Sequence, residues 1–252
     1  MKKYKYLLKN VGLLTLSNFG SKLLSFFLVP LYTSILTTTE YGTYDLLYTT
    51  MTLLIPILTI NISEAALRFA LDKKTDNSEV FGVSVKNIII ATLVFLALVG
   101  INYIFDFVKP INEYVVYFIL FFITHMIFQL IQSFCRGIDN VFDLAVSGII
   151  NSAVVISLNI LFLVYLKWGI SGYFIANILS NFVATLYIAI RIRIHKYIKI
   201  KEYNKKLEKE MIKYSKPMVL NSISWWITNA SDRYIVTWLC GVSENGIYSV
   251  RL

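Results

Sequence analysis

Cysteine is nearly missing from this chain. Cys135 and Cys240 are its only two, too few for a disulfide framework or a cysteine-based metal cluster. The two histidines, His125 and His195, show no metal-ligand spacing either. Charge is also scarce, with 15% of residues Asp, Glu, Lys or Arg against about 25% in a soluble globular domain. No glycine-rich phosphate loop, nucleophile elbow or HExxH helix occurs, so nucleotide hydrolysis and proteolysis find no support. The sequence therefore predicts no metal, no cofactor and no enzyme.

What is present is apolar. The chain is 57% hydrophobic, and the excess is gathered into runs such as "IIIATLVFLALVGINYIF" and "YVVYFILFFITHMIFQLIQSF". Each is near the ~20 residues that cross a bilayer. Lipid cannot satisfy backbone polar groups, so helices are the natural spanning element. The expected fold class is an all-α, polytopic transmembrane helical bundle. Seven spans follow from the hydropathy, over 10–35, 42–63, 84–105, 113–134, 143–165, 170–190 and 217–239. The opening "MKKYKYLLKN" resembles a signal sequence. The apolar run behind it is too long, carries Lys22 and Pro30, and shows no clear small-residue cleavage site, so it reads as a retained first span.

Flanking charge sets the orientation. Lys2, Lys3, Lys5 and Lys9 precede the first span, Arg68, Lys73, Lys74 and Lys86 follow the second, and Arg136 follows the fourth. Most of the remaining basic residues fill 191–216, while the opposite side receives only Lys109 and Lys167. The N-terminus is predicted to be cytoplasmic. Cys135 and Cys240 then belong to opposite faces and cannot pair. The segment 191–216 would anchor the topology against anionic membrane lipids, with Ile194, Tyr197, Ile198 and Met211 suiting a surface helix. Basic residues alone make no nucleic-acid module, and none is expected.

A short phrase occurs twice. "TTTEYGTYD" at 37–45 and "GVSENGIYSV" at 241–250 share glutamate, glycine and tyrosine in the same order. Asn18, Ser21 and Ser25 also correspond to Asn221, Ser224 and Thr228 at a constant offset. Glycine would let the chain turn at the membrane surface, and the tyrosines suit the headgroup level. Six helices followed by the opening of a second set describe a transporter built as two parallel repeats. This predicts a six-helix bundle over 1–190, a basic cytoplasmic linker over 191–216, and the start of a second bundle over 217–252. On this reading the natural protein continues through further spans, and residues 1–252 alone do not transport.

The stretches "LLTLSNFGSKLLSFFLVPLYTSILTTTEYGTYDL" and "NASDRYIVTWLCGVSENGIYSV" resemble the first-helix and seventh-helix regions of the polysaccharide-export flippases. Those belong to the multidrug/oligosaccharidyl-lipid/polysaccharide exporter superfamily. The resemblance runs along the whole chain, through loose patterns of small, polar and aromatic positions. It implies a multi-pass protein of the bacterial cytoplasmic membrane that flips an undecaprenyl-diphosphate-linked oligosaccharide between leaflets. A polysaccharide polymerase and glycosyltransferases would be its partners. A drug or cation exporter of the same superfamily, and a membrane-embedded polysaccharide-assembly enzyme, stand as alternatives.

Polar residues are costly in lipid, so their helical spacing marks the face turned away from it. Asn18, Ser21, Lys22 and Ser25 share a face of the first span. Asp45, Thr49, Thr52, Pro56, Thr59 and Ser63 do so in the second, and His125, Gln129, Gln132 and Arg136 in the fourth. Asn177, Asn181 and Thr185 line up in the sixth, as do Asn221, Ser224, Thr228 and Asp232 in the seventh. Such stripes serve either as interhelical glue or as the wall of a water-filled cavity. The candidate cavity residues are Asn18, Lys22, Asp45, His125, Gln129, Gln132, Asn177, Asn181 and Asn221. Glu64 and Arg68, one turn apart, and Asp232 with Arg233 are candidates for a gate or ion-coupling site. Glu64 and Arg68 suit an ion pair, whereas the adjacent Asp232 and Arg233 point in different directions.

Overall fold

The computed structural model describes residue 12 and residues 30–72, 74–198 and 204–250. Most of the first span, with Asn18 and Lys22, lies outside the described residues. In chain order the helices are α1 (30–35), α2 (Thr38–Leu58), α3 (Ile62–Ala70), α4 (Asn77–Phe105), α5 (Lys109–Glu113), α6 (Val115–Gly137), α7 (Val141–Asn159), α8 (Gly169–Arg191), α9 (Lys205–Cys240) and α10 (Val242–Val250). A π-helical turn, Ile160–Tyr165, extends α7.

The protein is a polytopic transmembrane helical bundle. Four helices, Asn77–Phe105, Val115–Gly137, Val141–Tyr165 and Gly169–Arg191, are long and apolar enough to cross a membrane. They coincide with the third to sixth predicted spans. The second span is broken. Thr38–Leu58 and Ile62–Ala70 meet at 57°, because Ile60 and Asn61 both adopt φ of 51°. A left-handed conformation stops an α-helix. Asparagine tolerates it, whereas a β-branched residue such as isoleucine adopts it only under constraint. Pro56, within the preceding turn, has no N–H to give to the ladder.

Helix starts are marked by their caps. The Thr37 side chain accepts from the Glu40 N–H at 3.2 Å while Glu40 accepts from the Thr37 N–H at 2.9 Å, a capping box that opens α2. The other Glu40 oxygen accepts from the Ile170 N–H at 3.4 Å, tying the start of α8 to the start of α2. Gly42 and Gly246 do not make turns, contrary to the sequence expectation. They sit inside α2 and α10, where their missing side chains serve close packing.

Large rings fill the bundle. Phe95, Phe118, Phe121, Phe122, Phe134 and Phe174 are fully buried, and Phe95 of α4 stacks on Phe122 of α6 with centroids 3.6 Å apart. Small residues bring α3 onto α6, where a Cβ at Gly137 would lie 2.7 Å from the Ala70 Cβ. Membrane helices approach closely at such positions.

The last helix begins earlier than hydropathy suggests, at Lys205 rather than at 217. Asn204 caps it by accepting from the Leu207 N–H at 3.0 Å. Leu207, Met211 and Ser215, each four residues apart, are buried, and Glu208 meets Lys86 of α4 at 3.1 Å. The second half of the basic segment is thus the foot of α9 and not a separate surface helix. Lys205, Lys206, Lys209, Lys213 and Lys216 remain on its exposed side.

Candidate functional site

A cavity of about 310 Å³ opens between α2, α6 and α9. Thr52, Ile55 and Pro56 of α2, Asn61 at the break, His125 and Gln129 of α6, and Asn221, Ser222 and Trp225 of α9 form its wall. The break is what admits the polar wall. Asn61, itself buried, leaves the helical path there and donates from Nδ2 to the Ser222 Oγ at 2.9 Å. His125 stands edge-on to Tyr48 and Phe121, with ring centroids 6.4 and 6.0 Å away. Among the described residues the wall carries no Asp, Glu, Lys or Arg and is rich in donors and acceptors, with one broad aromatic face at Trp225.

Three of the predicted cavity residues, His125, Gln129 and Asn221, come together here. Others lie elsewhere. Asn181 of α8 accepts from Asn151 of α7 at 3.2 Å, and Asn177 bonds the Tyr173 carbonyl of its own helix at 2.9 Å. The first bond ties α7 to α8, and the second stays within α8. Gln132, one turn below Gln129, is not part of this wall.

Asp45 stands apart from the cavity, in a second polar cluster near the start of α2. Its carboxylate lies 3.0 Å from the Arg233 Nε, yet the Nε–H forms no directed hydrogen bond. Asn245 of α10 reaches the same carboxylate at 3.4 Å and the Gly42 carbonyl at 3.3 Å. Asp232 accepts from the Tyr248 hydroxyl at 2.6 Å and stays 3.9 Å from the Arg233 guanidinium. Arg233 thus turns chiefly to a partner on another helix. Glu64 and Arg68 are exposed on α3, and no ion pair between them occurs among the described residues.

Asn61, Ser222 and Trp225 were missed by the sequence reading. Asn61 sits two residues off the stripe that contains Thr59 and Ser63, and only the break turns it inward. Ser222 follows Asn221 directly, about 100° around the helix. A stripe defined by steps of three and four omits it, although a cavity wall is wider than one stripe.

The profile of a family described as polysaccharide biosynthesis protein matches residues 7–251. No curated protein matches the chain. Among solved structures, the crystal structure of a MATE mutant aligns with a TM-score of 0.69 at 16% identity, over 96% of this chain and 59% of its own. MATE in complex with MaD3S aligns at 0.57 and 17%, over 95% and 56%. An outward-facing multidrug resistance MATE family transporter of the MOP superfamily aligns at 0.53 and 17%, over 96% and 60%. At these identities the likeness is one of fold. The chain spans less than two thirds of the length of each of these structures.

Proposed function

The chain belongs to the polysaccharide biosynthesis protein family, and from that premise we propose that it is the first half, plus the opening of the second, of a flippase for lipid-linked oligosaccharides. The observation that carries this reading is the polar cavity shared by α2, α6 and α9. Asn61, His125, Gln129 and Asn221 offer amide and imidazole groups that can both donate to and accept from sugar hydroxyls. Trp225 adds an apolar face with a polar edge. An organic cation, the cargo of a drug exporter, calls for a carboxylate, and none lines the wall among the described residues. The undecaprenyl tail stays in the bilayer while the head group passes between the two bundles. Lys22, on the first span, is the candidate cation for the diphosphate.

The same reading puts the protein in the bacterial cytoplasmic membrane with the basic ends inside. The lysines on the foot of α9 meet anionic lipid headgroups there, and a polymerase and glycosyltransferases supply and consume the cargo. With Cys135 and Cys240 replaced by serine, a cysteine introduced at Glu113, exposed at the end of α5, should react with a membrane-impermeant thiol reagent in intact cells. One at Glu210, exposed on the foot of α9, should not. The reverse pattern would overturn the orientation.

Gln129→Leu combined with Asn221→Leu in the full-length protein should lower export at least tenfold. Each loses a hydrogen bond of about 1 kcal/mol to the head group, and about 1.4 kcal/mol is a factor of ten. Surface polysaccharide in a strain lacking its own flippase is the measure, with membrane-inserted protein quantified beside it. Undiminished polysaccharide with lost drug efflux would favour the drug-exporter reading.

A further inference from the structure

The turn that joins α4 to α5 is built around two asparagines. Asp106 takes a left-handed φ of 52° and ends α4, a conformation that aspartate tolerates. Asn102, buried one turn earlier, donates from Nδ2 to the Asn112 Oδ1 at 2.8 Å and to the Val108 carbonyl at 3.2 Å. Its Oδ1 accepts from the Val108 N–H at 2.9 Å. Asn112 donates in turn to the Asp106 Oδ1 at 2.6 Å and to the Asn102 carbonyl at 3.3 Å. Both amides are thus engaged at oxygen and at nitrogen, and the turn has little freedom. What it holds is apolar. Phe105 and Phe107, two residues apart, would lie on different sides of a continuous helix. With left-handed Asp106 between them they stack, centroids 5.6 Å apart and planes 20° apart, while staying 64% and 72% exposed.

The pair sits where the membrane ends. Asp106 lies 20 residues beyond Lys86 on α4, about 30 Å at 1.5 Å per residue, the thickness of a hydrocarbon core. The sequence between those two charges holds no other Asp, Glu, Lys or Arg. Ile90, Leu93, Val94, Ile101 and Ile104 leave one broad side of that stretch exposed, and the phenylalanines prolong it at the end away from the foot of α9. Tyr165, exposed at the α7–α8 corner, lies at the same end of the bundle, and tyrosine favours the headgroup level. We propose that this turn is a membrane anchor, in which the Asn102–Asn112 clamp presents Phe105 and Phe107 as a stacked pair to the boundary between acyl chains and headgroups. Lipid is the partner, because the pair continues a surface that already faces acyl chains. Ordering the rings in advance lowers the cost of inserting them, and their seat fixes how deep the bundle lies. The anchor rests on the membrane fold alone and is independent of the cargo.

The test uses the full-length protein with Cys135 and Cys240 replaced by serine, in vesicles of phosphatidylcholine and phosphatidylglycerol that hold no other protein. A nitroxide label is attached to a cysteine at Phe107, or at Glu113, exposed at the end of α5. Oxygen concentrates in hydrocarbon and a nickel chelate in water. Collisions at position 107 should favour oxygen by about threefold or more, and those at 113 should favour the chelate. Adding Asn102→Ala or Asn112→Ala should raise chelate collisions at 107 by about threefold, because the freed turn exchanges its hydrogen bonds with water. Half-buried Asn112 is the milder change, and it leaves the body of α4 untouched. Equal access of the chelate to 107 and 113 overturns the proposal. So does chelate access at 107 that is present in these vesicles and lost in native membranes, which would assign the pair to a protein partner. Collisions that neither clamp variant changes overturn the clamped display and the anchor with it.

Discussion

Phe122→Ala should destabilise the bundle by about 3 kcal/mol, the low end of the range for removing a buried aromatic ring. Phe122 and Phe95 are both fully buried, and their rings lie nearly parallel, 5° apart in plane at 3.6 Å. In a soluble protein the loss would combine transfer from water with the void left behind. Here the unpacked side chain returns to hydrocarbon, so little transfer term exists. What remains is the loss of dispersion contacts along the α4–α6 seam. Thermal unfolding of the purified protein in detergent is the measurement. Leu93→Ala, on the exposed face of the partner helix α4, is the control and should change almost nothing. Equal effects from the two variants would mean that α4 is held by something other than this pair.

The spans were legible because membrane insertion selects on average hydropathy, which any window of suitable length recovers. The same averaging hid the break in the second span. Asn61 lies between apolar runs, and two successive residues of positive φ at Ile60 and Asn61 leave no mark on a hydropathy trace. Pro56 was the sole local hint, and it sits inside α2 rather than at the break. The foot of α9 was hidden for a different reason. Its lysines dominate the composition of 205–216, while the three residues that dock it, Leu207, Met211 and Ser215, are too few to read as a helix face unaided.

The repeated phrase was visible, but its use was not. Glycine before tyrosine at a helix end fits a surface turn equally well, and sequence alone carries no sign that Gly42 and Gly246 touch. The polar stripes had the same ambiguity. His125, Gln129 and Asn221 reach the cavity, whereas Asn181, of similar spacing and chemistry, bonds Asn151 of α7. Spacing identifies a face of a helix. Which neighbour that face meets is a matter of the packing of helices distant in sequence.

Asn61 offers the sharpest test of how the break serves the cavity, because its two roles can be separated. It holds a left-handed conformation, which costs a typical residue about 1–2 kcal/mol and asparagine less. It also donates to Ser222 across the gap at 2.9 Å, a bond worth roughly 0.6 kcal/mol and up to about 1.7 inside a membrane protein. Asn61→Leu forfeits both, for an expected loss of about 2 kcal/mol. Asn61→Gly accepts the conformation freely and loses only the bond, so it should recover about half of that stability. Ser222→Ala removes the same bond from the other side and should match the glycine variant. Thermal unfolding in detergent ranks the three, and surface polysaccharide in the complemented strain reads their activity. Leucine should lower export at least tenfold, since it straightens the path between α2 and α3 and withdraws a polar group from the wall. Glycine should keep most of the export, because the bend survives and Gln129 and Asn221 still face the cavity. If leucine and glycine prove equally unstable, the left-handed turn is not what asparagine provides, and the break is held by the packing of α3 against α6 instead.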